Sequence, residues 1–314
     1  MEDKLMGMFL GGFLGDALGA PYEFKISRPL SDYRGLLEYE TKVPRQYHEP
    51  LVYPVGAITD DSQMTIHLMR SIVKTGGYDR NDVILSYLDF ANSTSQLGKN
   101  TRLILKGIKT LRGYESRKGK IDPNNESNGP LMRASPLSIF NDSNIWISDV
   151  SITNTSQTNY IVNIIYLYAI RYALLGKSKE EIRDLVTSLA NQYQNYNIIT
   201  AVNEAINGIK RNVDVRTNKR SNKGWVVHAF YAAIYALLHF NDYKTAIDEI
   251  ILLGGDTDTN AKIAGDLLGA YYGYAKIYVN DVMRYNLQIL FANNQNYLYD
   301  FMSNVTILSK LFQI

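Results

Sequence analysis

Apolar residues recur at helical spacing along most of this chain. Ile161, Ile164, Ile165, Tyr168 and Tyr172 fall on one face of a 3.6-residue period, as do Ile182, Leu185 and Leu189, and then Val202, Ala205, Ile206 and Ile209. The same reading predicts helices over 225–239, 244–252 and 259 to about 275. A last helix is predicted over 297–312, where Phe301, Val305, Leu308 and Phe312 make the stripe. No stretch sustains the period-two alternation of a half-buried strand, so the pattern predicts an all-α fold. The breaks read as loops within that bundle. Residues 25–57 have no helical period and contain Pro29, Pro44, Pro50 and Pro54, with Pro21 just upstream, which predicts a long surface excursion. A loop of that length is usually functional. Residues 113–131 and 212–224 are polar and read as further loops; no internal repeat is evident.

Composition narrows the classes. With 314 residues, 46% of them hydrophobic, the chain can bury a large core, and one domain over 1–314 is expected. A net charge of +2 is too small to require nucleic acid as a partner. The absence of cysteine excludes disulfides, zinc-thiolate sites and a thiol nucleophile. The start, Met1-Glu2-Asp3-Lys4-Leu5, has acids where a secretory leader has a basic region, and no apolar run is long enough to span a bilayer. The expectation is a soluble, cytoplasmic monomer with no membrane partner.

The chemistry concentrates in two acid-hydroxyl clusters far apart in the sequence, Thr59-Asp60-Asp61-Ser62 and Gly254-Gly255-Asp256-Thr257-Asp258-Thr259. Neither has a neighbouring His or Cys, and carboxylates with hydroxyls are the ligand set of a hard divalent cation. If Asp60, Asp61, Asp256 and Asp258 converge, the pocket must take up protons or cations, and two divalent ions would neutralise it. Gly254-Gly255 predicts a tight turn and Asp256 to Thr259 the opening of a helix, whose positive end keeps carboxylates ionised. Plain N-capping accounts for one such residue but makes four in a row redundant. The first cluster alone also reads as an ordinary helix start. A third block supports the pairing: Gly11, Gly15 and Gly19 at spacing four give a smooth helix face, with Glu23 just past Pro21.

The blocks Gly15-Asp16-Ala17-Leu18-Gly19-Ala20-Pro21-Tyr22-Glu23, Ile58-Thr59-Asp60-Asp61-Ser62-Gln63-Met64, Asn128-Gly129-Pro130-Leu131-Met132-Arg133-Ala134-Ser135-Pro136-Leu137 and Gly254 to Thr259 occur in this order. Together they resemble the ADP-ribosylglycohydrolase family over nearly the whole chain. The resemblance implies an orthogonal helical bundle with a binuclear magnesium or manganese centre in a central cleft, cleaving the bond between ADP-ribose and a protein side chain. It implies that Thr59, Asp60, Asp61, Asp256, Asp258 and Thr259 are metal ligands and that Glu23, Asp60 and Asp61 are catalytic. Gly98, Asn100, Thr101, Asn128, Gly129, Met132, Arg133 and Asn154 are the implied substrate-binding residues.

Three positions depart from the family pattern: Ser62 where Thr is usual, Asn154 in the stretch where the family often has His, and a thinner glycine segment at Ser95-Gln96-Leu97-Gly98. Arginine is the favoured linkage, with serine and O-acetyl-ADP-ribose as options. The rival readings are another binuclear-metal hydrolase such as a phosphoesterase, and a non-catalytic relative that binds ADP-ribose or serves structure.

Other motifs are weaker. His48, His67, His228 and His239 have no metal or triad spacing, and the last two lie in an apolar helix, where packing or a satisfied hydrogen bond is expected. Lys99, Arg102, Lys106, Lys109 and Arg112 repeat every three or four residues, which predicts one helical face, solvated by default, with an acidic-partner or phosphate surface as the minority reading. The same holds for Lys210, Arg211, Arg216, Lys219, Arg220 and Lys223.

Overall fold

A computed structural model of the chain describes residues 1–25, 27–45, 48–211 and 224–313. The stretch 212–223, with Arg216, Lys219, Arg220 and Lys223, lies outside the described residues. The first helix, α1 (Glu2–Gly19), is followed by a 3-10 segment over Ala20–Lys25 and a two-stranded hairpin, β1 (Thr41–Arg45) and β2 (His48–Tyr53). Then come α2 (Asp60–Thr75), α3 (Arg80–Ser93), α4 (Lys99–Leu105), α5 (Leu111–Arg117), α6 (Gly129–Arg133), α7 (Ser143–Val150) and α8 (Gln157–Leu174). The second half supplies α9 (Lys179–Tyr193), α10 (Tyr196–Ile206), α11 (Val226–His239), α12 (Tyr243–Leu252) and α13 (Thr257–Tyr272). The chain ends with α14 (Tyr274–Tyr278), α15 (Asp281–Asn293), α16 (Gln295–Leu298) and α17 (Phe301–Leu311). No helix among the described residues is long and apolar enough to cross a membrane.

Glycine decides how the centre is built. A helix as apolar all round as α1 has to be enclosed, and α1 is buried from Gly7 to Gly19. Its glycines face α13 so closely that a Cβ on Gly7 would lie 2.5 Å from the Gly269 carbonyl oxygen. A Cβ on Gly11 would lie 2.6 Å from that of Gly265, and one on Gly19 2.5 Å from that of Thr257. The pairings descend along α13 as they climb α1, so the two helices run antiparallel. The C-terminal end of α1 is thereby delivered to the N-terminal end of α13. Helices α8, α11 and α12 pack around this pair.

Several predicted boundaries need correction. The all-α expectation misses the hairpin, in which Thr41 pairs Tyr53, Lys42 pairs Val52 and Val43 pairs Leu51 before the register slips ahead of Arg45. Two strands this short, with Pro44 at the irregularity, leave no sustained alternation to read. The excursion is also less free than its prolines suggest. Two buried asparagines fasten it: Asn286 donates to Gly35 O and accepts from Leu37 N–H, and Asn294 donates to Gly56 O and accepts from Ile58 N–H. Helix α5 occupies part of the loop predicted over 113–131. The helix predicted over 297–312 is two, broken between Leu298 and Phe301, and Ile209 lies past α10 and is exposed. The basic run does not share one helical face, because α4 ends at Leu105 and Gly107 takes a left-handed φ of 80° before α5 begins.

Candidate metal centre and substrate pocket

Two helix starts and one helix end meet at the site. Gly254 and Gly255, with φ of 82° and 81°, turn the chain into α13, a conformation costly for residues with a Cβ. The side chain of Asp256 makes no capping bond to α13, so plain capping does not account for the second cluster. At α2 it holds in part: Thr59 caps the helix, its hydroxyl accepting from Asp61 N–H. Beyond α1, Glu23 has φ −51° and ψ 121°, and Phe24 reverses the chain at φ 47° while donating its N–H to Gly255 O at 2.7 Å. The Thr257 hydroxyl donates to Gly19 O at 2.8 Å, tying the same two ends together.

Carboxylate oxygens of Glu23, Asp256 and Asp258 lie within 4.8 Å of one another. Asp60 and Asp61 fall outside that tight group but within electrostatic range of it. Burial, followed by repulsion from Asp256, Asp60 and Asp16, pushes the Glu23 carboxyl up to about 8. Burial does the same to Asp60, up to about 7, against an opposing hydrogen bond from Gly98 N–H at 3.1 Å. Asp61 and Asp258 are held well above the usual carboxylate range, by burial first and neighbouring acids second. Thr259 opposes the rise at Asp61 through its hydroxyl, and its N–H donates to Asp258 at 2.9 Å. Asp61, Asp256 and Asp258 are buried, whereas Glu23 and Asp60 are partly open.

These residues fit a hard cation. Oδ2 of Asp61 is buried with no hydrogen-bond partner among the described residues, which is costly for an acceptor unless something binds it. Among the described residues the donors at hand are mainly carboxylate and hydroxyl oxygens, and a self-repelling set of this kind is relieved by divalent charge.

The expected substrate-side residues divide in two. Asn128 joins the centre directly, its Nδ2 donating to Asp256 Oδ2 at 2.8 Å, and Gly98 joins through Asp60. Gly129 opens α6, with the buried Thr101 side chain beside it, and the carbonyl of Met132 accepts from the Thr65 hydroxyl. Asn100 and Asn154 hydrogen-bond each other at 3.0 Å, and Asn154 also donates to Asn125 and Ser127. Asn154 is thus a buried clamp on neighbouring loops. Arg133 is placed as support: its fully buried guanidinium pairs with Asp149 at 3.1 Å, bonds Thr153 and lies over the Tyr87 ring.

Sequence reasoning missed three contributors. Asp16, buried in α1, accepts the N–H groups of Thr59 at 3.0 Å and Ser62 at 3.2 Å as well as the Ser62 hydroxyl, so it fixes the start of α2. A lone acid in an apolar helix has no sequence pattern of its own. Gly224 and Trp225 pair with the 126–128 loop: Gly224 O accepts from Asn128 N–H, and the Trp225 indole donates to Glu126 at 2.7 Å. Lys262 and Asp266, fully buried one turn further along α13, form an ion pair at 2.6 Å.

The profile of the ADP-ribosylglycohydrolase family matches residues 1–285. The ADP-ribosylarginine hydrolase Tri1 of Pseudomonas putida is 29% identical over 288 residues, covering 86% of this chain and 71% of the relative. The ADP-ribosyl-[dinitrogen reductase] glycohydrolase of Rhodospirillum rubrum is 22% identical over 280 residues, covering 87% of each. A solved ADP-ribosylglycohydrolase-related protein complex has the same fold, with a TM-score of 0.73 and 23% identity over 99% of both chains. This chain belongs to the ADP-ribosylglycohydrolase family.

Proposed function

We propose that this protein is a hydrolase that cleaves the glycosidic bond between ADP-ribose and a protein side chain, with arginine the favoured linkage, reversing mono-ADP-ribosylation. The observation that carries the reading is the meeting of Glu23, Asp256 and Asp258 with Asp60 and Asp61 where α1, α2 and α13 converge. Family membership and the name of the Pseudomonas putida relative support the substrate class and the arginine preference. Thr59, Asp60, Asp61, Asp256, Asp258 and Thr259 would hold two divalent cations, magnesium or manganese, which when bound would supply Lewis-acid polarisation and activate water for attack.

The chain's own groups then have distinct tasks. Asn128 orients Asp256, and Gly98 N–H together with Asp16 fixes Asp60 at the start of α2. The pocket's carboxylates stabilise the positive charge that develops on the ribose as the bond to the side chain breaks. Glu23, partly open beside Asp256 and Asp258, is the group suited to move a proton to the leaving side chain or from the attacking water. The 128–133 segment, braced from beneath by Arg133, lines the diphosphate and distal ribose.

The test is product analysis with arginine-linked, serine-linked and O-acetyl ADP-ribose side by side. Release of free ADP-ribose, fastest from the arginine linkage, supports the reading. Release of AMP instead, from cleavage of the diphosphate, would assign phosphoryl chemistry to the site, and no turnover of any substrate would assign a binding protein.

A further inference from the structure

The basic segment beside the site is left unused by the chemistry. Residues 99–120 contain eight Lys and Arg against a single acid, Glu115. The whole chain has 33 Lys and Arg against 31 Asp and Glu, so the remainder is net acidic and the positive charge is local. Among the described residues only Lys118 is paired with a carboxylate, that of Glu115. Arg102, Lys106 and Arg117 donate to carbonyl oxygens of Leu97, Thr94 and Leu103, which fixes the side chains without neutralising them. Lys99, Lys109, Arg112 and Lys120 are exposed. Lys109, Arg117 and Lys120, with Thr110 and Ser116, line a groove of about 550 Å³.

Position gives this surface its meaning. Gly98 donates to Asp60, so α4 starts beside the acid centre, and its seven residues span about 10 Å. We infer that the surface formed by α4, α5 and the groove lined by Lys109, Arg117 and Lys120 docks an acidic segment of the modified protein, next to the side chain that enters the site. The inference rests on the proposed activity. Like-signed, unpaired charges near a catalytic mouth steer an oppositely charged partner and select among partners. A protein partner is favoured over single-stranded nucleic acid because the only aromatic residue of the segment, Tyr114, is buried and offers no stacking platform.

The experiment compares two arginine-ADP-ribosylated peptides, one flanked by glutamates and one by alanines, with free ADP-ribosyl-arginine, at low and at physiological salt. The wild-type enzyme is expected to show a kcat/KM for the glutamate-flanked peptide about tenfold above that for the alanine-flanked one at low salt, expressed in KM and shrinking with added salt. Lys109→Glu/Arg112→Glu/Lys120→Glu should abolish that preference and leave turnover of free ADP-ribosyl-arginine unchanged. Equal rates on both peptides, or a preference that survives in the triple variant, would overturn the inference. If free ADP-ribosyl-arginine is not cleaved at all, the proposed activity fails rather than the docking surface. Fluorescence anisotropy with a labelled glutamate 20-mer then reads the surface directly, with tight binding to the wild type and loss in the triple variant expected. Competition by oligothymidine at concentrations where the glutamate peptide has no effect would assign the surface to nucleic acid and overturn the proposal.

Discussion

Asp61 concentrates the chemistry of the site in one side chain. Its carboxyl is buried, surrounded by other acids, and has one oxygen without a partner among the described residues. Its proton affinity in the folded protein is raised above the unfolded value. In the metal-free protein at neutral pH it therefore costs stability, and that cost disappears as pH falls toward the ordinary carboxylate range. Asp61→Asn should raise the stability of the metal-free protein, because it removes a buried carboxyl held above its ordinary range by burial and by neighbouring acids. The same variant should lose the rise in melting temperature that manganese gives the wild type. Thermal melts with and without metal check both, and a variant that is less stable without metal would contradict the repulsion argument. Asp61 was legible in the sequence because it sits beside Asp60 after a threonine. Asp16 was not, because its role depends on α2 arriving from elsewhere in the chain.

At the scale of elements, the contact of α1 with α13 is what brings distant acids together. A methyl group on Gly11 would meet the Gly265 carbonyl oxygen at 2.6 Å, backbone that cannot rotate away. Gly11→Ala should destabilise by about 3 kcal/mol and depress hydrolysis in the fraction that still folds, because Glu23 and Asp256 are set by the same register. Urea denaturation together with kcat under folding conditions reads both effects, and near-wild-type stability would show that the contact can relax. The glycine spacing and the helical stripes were legible because they repeat along one element. The hairpin, the break between α4 and α5, and the pairing of 224–226 with 126–128 were not. Each is fixed by a turn or by a partner strand distant in sequence, and local period carries no trace of either.

For the molecule as a whole, the histidines link stability to pH. Burial pushes His67 and His228 down to about 4, below their usual 6.5. Between those values the unfolded chain takes up protons that the folded protein refuses, so this contribution to stability is full above about 6.5 and is lost as pH falls toward 4. His67→Gln removes one such group. Its urea midpoint should gain on the wild type steadily from pH 6.5 to 4, and a constant gap would mean that His67 titrates normally in the folded protein. Of the histidines expected to serve packing or a hydrogen bond, His239 bonds Ala205 O at 2.6 Å, and Nε2 of His228 has no partner among the described residues.

The most direct test of the central claim is to strip the protein with chelator and follow free ADP-ribose released from an arginine-ADP-ribosylated peptide as manganese or magnesium is returned. No release without metal, saturable recovery with it, and no recovery in Asp258→Asn are the expected results. Release that is unchanged by chelator, or equal in the variant, would contradict a metal-dependent site built from the two acid clusters.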